Sequence, residues 1–216
     1  LVDNFSAGIF AGIMAILGLL AIGPVVEWLT ARAGDGVQWL IDAGLLPLIN
    51  VLIEPGKVLF LNNAINHGVL GPIALEQASK AGKSILFMLE SNPGPGLGIL
   101  LAYWLFSKGS VKQSAPGAII IHFFGGIHEI YFPYILMNPR LILAAIAGGV
   151  AGALTFTATG AGLVATPSPG SIFAYLSLLP PDGGAVVGVL LGIAVGALAS
   201  FIVGSILLRL FPVKEM

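Results

Sequence analysis

The sequence predicts an all-α integral membrane protein, built of transmembrane helices together with broken helices and re-entrant hairpins. Three observations lead there. Of 216 residues, 57% are hydrophobic and only 9% charged, where soluble domains carry about 25% charged residues. Mean hydropathy is +1.01. Some apolar runs reach the ~20 residues that span the hydrocarbon. Others are cut short by Gly, Pro and amides, the pattern of discontinuous helices that line a site. The net charge of −1 gives no reason to expect nucleic acid. With no cysteine there is no disulfide framework, no thiolate metal site and no cysteine nucleophile. The three His are scattered without paired ligand spacing, so neither a metal nor a cofactor is expected. The 30 glycines suit close helix packing in lipid.

The chain opens on Leu1 with neither a basic start nor a cleavage site, so its first residues are not a signal peptide. It reads as a fragment of a longer protein. Residues 6–26 carry no charge and predict a transmembrane helix, with Gly8 and Gly12 as a small-residue face and Pro24 near its end. Residues 27–42 carry Glu27, Arg32, Asp35 and Asp42 and read as a connection or an interfacial amphipathic helix. Trp28 and Trp39 fit the aromatic belt. Residues 1–42 thus form a first unit and 43–216 a transport domain.

Residues 43–53 are apolar until Glu54-Pro55-Gly56-Lys57 interrupts them. Residues 58–73 are broken by Asn62-Asn63-Ala64-Ile65-Asn66-His67-Gly68 and by Gly71-Pro72, while Glu76, Gln77, Lys80 and Lys83 mark a return to water. Residues 84–106 form a second apolar run with one internal charge, Glu90. Its centre, Ser91-Asn92-Pro93-Gly94-Pro95-Gly96, is incompatible with regular helix.

Residues 114–138 have Lys108 and Lys112 before them and Arg140 after them. Both flanks then prefer the cytoplasmic side, which predicts a hairpin with its tip between Gly125-Gly126 and Pro133. Residues 141–164 predict a charge-free helix, and 165–184 an outside loop without Lys or Arg. In the last helix, 185–208, Gly188, Gly192, Gly196, Ser200 and Gly204 recur every four residues as one smooth packing face. Arg209 and Lys214 place the C-terminus in the cytoplasm.

The hairpin tip holds Glu129. An ionised side chain near the bilayer centre costs roughly 2.5–3.5 kcal/mol on insertion scales, so a use for it is expected. The bland alternative is a carboxylate paired with a lysine or solvated at the headgroup level. His67 is a ligand or a core histidine capping a broken helix. Asn62, Asn63 and Asn66 divide between helix capping and ligand contact. His128 adjoins Glu129 and is more naturally a support of the backbone or of an interface than a ligand. Tyr131 and Tyr134 fit an interfacial belt.

Four motifs in order carry a resemblance. They are Phe60-Leu61-Asn62-Asn63-Ala64-Ile65-Asn66-His67-Gly68, Asn92-Pro93-Gly94-Pro95-Gly96, Lys112-Gln113-Ser114-Ala115 and Gly126-Ile127-His128-Glu129-Ile130-Tyr131-Phe132-Pro133-Tyr134. Together they resemble the mannitol-specific enzyme IIC of the bacterial phosphoenolpyruvate-dependent sugar phosphotransferase system. The resemblance implies a multi-pass protein of the bacterial inner membrane that translocates mannitol, or a related hexitol, while phosphorylated IIB donates a phosphoryl group. It implies Glu129 as the catalytic and substrate-binding carboxylate. His67, Asn66, Asn63, Gly126, Ile127 and His128 are the further substrate-binding candidates. It also implies a homodimer in the intact protein, contact with lipid, and family N-terminal helices and a IIB domain outside these residues. The rival readings are an ion-coupled secondary transporter of a polyol or sugar, and an inactive fragment of the permease.

Overall fold

The computed structural model describes residues 2–59, 61–181, 183 and 185–212. Phe60, Asp182, Gly184 and Lys214 lie outside the described residues, as does the side chain of Asn62. Among the described residues the chain is helical, with a single isolated antiparallel bridge between Ser84 and Leu163. Asp3–Asp42, Pro139–Thr159 and Val186–Leu210 are long and apolar enough to cross a membrane. The protein is an all-α membrane protein.

Helices α1 (Val2–Leu17) and α2 (Gly23–Asp42) join through a π turn, Gly18–Ile22. The 40 residues of Asp3–Asp42 make one helix of about 60 Å, twice the hydrocarbon thickness. Residues 27–42 simply continue it, and Trp28 and Trp39 are exposed on it. A second π turn, Asn66–Leu70, joins α4 (Asn62–Ile65) to α5 (Gly71–Ala81). Both π turns end immediately before a Gly-Pro pair, Gly23-Pro24 and Gly71-Pro72. Proline has no N–H to give and its ring clashes with the carbonyl four residues back. One wider turn shifts the register: the Gly23 and Gly71 N–H groups bond five residues back, to Gly18 and Asn66. The helix therefore continues through the amide-rich stretch that the sequence reading breaks. At the exposed end of α5, the hydrogen bond from Lys80 holds the Glu76 carboxyl below the usual carboxylate range.

Glu54-Pro55-Gly56-Lys57 does not interrupt the apolar run. It lies inside α3 (Asn50–Val58), with Glu54, Gly56 and Lys57 buried. Residues 84–93 are the true break. A 3₁₀ turn, Leu86–Met88, leads to α6 (Gly94–Phe106), whose N-cap is Pro93. Side chains from four other segments donate to carbonyls in this break and at the start of α6. Lys57 Nζ donates to Glu90 O at 3.1 Å and Tyr175 OH to Met88 O at 3.2 Å. His122 Nε2–H donates to Pro93 O and Ser200 Oγ to Pro95 O, each at 2.8 Å. Within the break, Ser91 Oγ donates to Phe87 O at 2.7 Å, and Asn92 Oδ1 accepts from Gly94 N–H at 2.9 Å.

Helix α7 (Gly109–Ile119) passes through a π turn, Ile120–Phe124, to the reversal at Gly125-Gly126. A 3₁₀ turn, His128–Tyr131, and α8 (Phe132–Met137) lead back. Ser114 Oγ and Tyr134 OH, 20 residues apart, meet at 2.8 Å, so the segment doubles on itself. Tyr134 is buried there and Tyr131 is buried deeper still, so neither is an interfacial belt residue. Helices α9 (Ile142–Thr159) and α11 (Val186–Leu210) pack along each other, and α11 also packs on α6. A Cβ added at Gly196 would sit 3.0 Å from Gly148 O, so the two backbones touch. A Cβ at Gly192 would run into the Phe156 ring.

The packing face yields a prediction. Gly192→Leu overpacks the α9–α11 contact, at a cost of about 1–3 kcal/mol, and lowers the unfolding temperature in detergent. Leu198→Ala, at a side chain 57% exposed on the outer face of α11, leaves it nearly unchanged.

Candidate functional site

A cavity of about 210 Å³ opens where four separate segments converge. Asn63, Asn66 and His67 line it from the α4–α5 helix. Their i, i+3, i+4 spacing puts them on one helical face. Glu90 and Ser91 line it from the break, Gly126, Ile127, His128 and Glu129 from the hairpin tip, and residues 167–170 from the loop before α10 (Ile172–Ser177). All seven candidate residues thus face one space, although 64 positions separate Asn63 from Ile127 along the chain.

Glu129 is exposed to this space, where the sequence reading expects a buried carboxylate. Among the described residues the buried carboxylates are Glu54 and Glu90, at 0% and 6% exposure. Glu90 is a lining carboxylate that sequence reasoning left without a role, as it did Ser91 and residues 167–170. Its signal was present, as a lone charge in the apolar run 84–106, but nothing in the letters showed which way it points. Glu90 and Glu129 are close enough for their charges to interact.

The tip keeps its shape through backbone contact. Gly126 has φ +76°, and a Cβ there would lie 2.5 Å from Ser171 N and 2.9 Å from Gly170 C. His128 Nε2–H donates to Gly170 O at 3.2 Å. The loop 167–170, expected outside as a plain connection, is therefore latched onto the tip and forms one wall of the cavity. Ser171 caps α10 by accepting from Ala174 N–H at 3.1 Å, which holds the loop's far end. His128 does support backbone, and it also lines the cavity. His122 stays outside the cavity lining. It is fully buried, its ring centroid 4.6 Å from that of His128.

Two buried acceptors on cavity residues, Asn66 Oδ1 and His128 Nδ1, find no hydrogen-bond partner among the described residues. With Nε2–H committed to Gly170 O, a neutral His128 ring carries its lone pair on Nδ1. Buried polar atoms are seldom left so. The cavity thus offers carboxylates, amides and imidazoles, a mixed set suited to a neutral ligand rich in hydroxyls, each of which both donates and accepts.

Residues 2–149 match the family model described as phosphotransferase system, EIIC. The chain is 65% identical over 209 residues to the PTS system mannitol-specific EIICB component of Geobacillus stearothermophilus, covering 97% of this chain and 44% of that protein. It is 61% identical over 215 residues to the mannitol-specific EIICB component of Bacillus subtilis, covering 100% of this chain and 45% of that protein. With the mannitol-specific EIICBA component of Escherichia coli it shares 54% identity over 215 residues, 100% of this chain and 33% of that protein. The chain spans less than half the length of these relatives. No solved structure matches it.

The latch is open to test. Gly126→Ala forces a non-glycine residue to positive φ, at about 1–2 kcal/mol, and drives its Cβ into the 170–171 backbone. The expected result is a lowered unfolding temperature and faster proteolysis within 165–171, both measured on the purified protein.

Proposed function

This chain belongs to the phosphotransferase system EIIC family, and from that premise we propose that its cavity binds mannitol, or a related hexitol, for translocation coupled to phosphorylation. The observation that carries the reading is the convergence of Asn63, Asn66, His67, Gly126, Ile127, His128 and Glu129 on one cavity. The relatives named as mannitol-specific support the choice of hexitol. Their names join EIIC to a B component, which supports phosphorylated IIB as the partner.

The chemistry follows from the groups present. The Glu129 carboxylate accepts hydrogen bonds from two substrate hydroxyls, and Asn63, Asn66 and His67 each supply a donor and an acceptor. Gly126 and Ile127 give the tip its backbone course, and His128 holds the loop wall. In the transfer step a terminal hydroxyl oxygen of the substrate attacks phosphorus on the IIB phosphocysteine. The S–P bond breaks, the thiolate leaves, and an O–P bond forms. The hydroxyl proton passes to Glu129 as general base. His67 is assigned to a hydroxyl near the phosphorylated end. The family resemblance assigns the donor cysteine to IIB. None of the apolar window of Asp3–Asp42 is buried, which leaves that helix for lipid or a second copy in a homodimer.

Equilibrium binding of radiolabelled mannitol to the intact protein in membrane vesicles tests the site. A hydrogen bond to a charged group is worth about 1.5–3 kcal/mol, so Glu129→Gln raises Kd about tenfold or more. His67→Ala weakens binding by a smaller factor. Mannitol uptake by vesicles that lack phosphorylated IIB would overturn the phosphoryl coupling and favour an ion-coupled carrier.

A further inference from the structure

Lys57 and Glu54 form an ion pair with both side chains fully buried, Nζ to Oε1 3.0 Å. Neither residue lines the cavity. Burying two charges is a poor way to gain stability, because their desolvation offsets much of their attraction. Well-packed apolar residues would serve α3 as well or better. The pair therefore calls for a use beyond holding α3 in place.

Its contacts indicate that use. Lys57 Nζ makes a second hydrogen bond to the backbone of Glu90, a cavity residue, at 3.1 Å. Glu54 Oε2 accepts from Tyr131 OH at 3.3 Å, and Lys57 Nζ lies 5.8 Å from the Tyr131 ring centroid. Tyr131 shares the short turn His128–Tyr131 with cavity residues His128 and Glu129. On the third side, Gly56 gives room to the Ile65 side chain, and Leu61 N–H bonds to Gly56 O at 2.9 Å. That contact carries α3 directly into the helix holding Asn63, Asn66 and His67. The Glu54–Lys57–Tyr131 cluster thus touches two of the four cavity walls, and Gly56, between the two charged residues on α3, touches a third.

We propose that Glu54, Lys57 and Tyr131 are positioning residues: a buried strut that fixes the spacing of Glu90 and the His128–Tyr131 turn, and so places the Glu90 and Glu129 carboxylates for substrate. This rests on the reading of the cavity as a hexitol site. A purely structural strut would affect folding alone, whereas a positioning strut sets affinity in protein that is fully folded.

The test measures radiolabelled mannitol Kd and unfolding temperature on the intact protein in parallel. Glu54→Gln/Lys57→Met removes both charges together, so no buried charge is left uncompensated. Its expected unfolding temperature is close to that of the unsubstituted protein, with Kd raised tenfold or more. Tyr131→Phe deletes one hydroxyl at constant shape, and its Kd rises severalfold with the unfolding temperature unchanged. Unaltered Kd in the folded double variant overturns the strut; so does unaltered Kd in Tyr131→Phe if the double variant fails to fold. Absence of mannitol binding by the unsubstituted protein overturns the hexitol reading and the strut with it. Binding there that is lost in Glu129→Gln but kept in the strut variants leaves the hexitol reading standing and removes the strut alone.

Discussion

A backbone carbonyl or amide left unpaired in apolar surroundings costs roughly 2–7 kcal/mol, and the arrangement around residues 84–95 is governed by that cost. A cavity inside a helical membrane protein needs a place where helix stops. Stopping a helix frees backbone groups that have no water to turn to. Here Lys57 and Tyr175 donate to the carbonyls of Glu90 and Met88 in the break, while His122 and Ser200 add side-chain donors to Pro93 O, which also accepts from Leu97 N–H, and to Pro95 O at the start of α6. These side chains come from α3, α10, the turn after α7, and α11. The break is thus a point at which four other segments are pinned, and the cavity lies beside it.

The same constraint explains the proline positions. Pro24 and Pro72 fall just after π turns, where the hydrogen-bond register has already moved by one residue. Pro93 and Pro95 stand at the start of α6, where a missing N–H costs nothing. Around this frame, α9 and α11 pack by backbone contact, because lipid offers no hydrophobic drive between helices and close van der Waals contact must supply the attraction. The stiffness of that contact suits a scaffold against which α6 and the break are held.

The hairpin tip and the 167–170 loop are assembled differently. Their contact is backbone on backbone at Gly126 and Gly170, closed by the His128–Gly170 hydrogen bond. A wall made this way depends on local geometry more than on buried apolar area.

Much of this was legible in the letters. Composition and uninterrupted apolar length fixed the all-α membrane class, since lipid leaves so few ways to pair a backbone. The four-residue spacing from Gly188 to Gly204 marked a packing face, because helical periodicity is local. Glu129 stood out as a charge in an apolar run, and the amides and His67 of the 62–68 stretch stood out as polar groups in another, although the stretch read as a break and is continuous helix. Orientation and long-range pairing were decided only by the tertiary structure. Glu54 and Lys57 read as an interruption and became a buried pair, because each found its partner one turn away and the pair found Glu90 and Tyr131 at distances in sequence that no local pattern encodes. Glu129 read as buried and faces an open cavity, because burial depends on what the 167–170 loop and the α4–α5 helix leave empty. The sequence determined which groups are too costly to be idle in an apolar chain; only the packed fold decided which of them face the cavity and which hold its walls, since that depends on contacts between segments far apart along the chain.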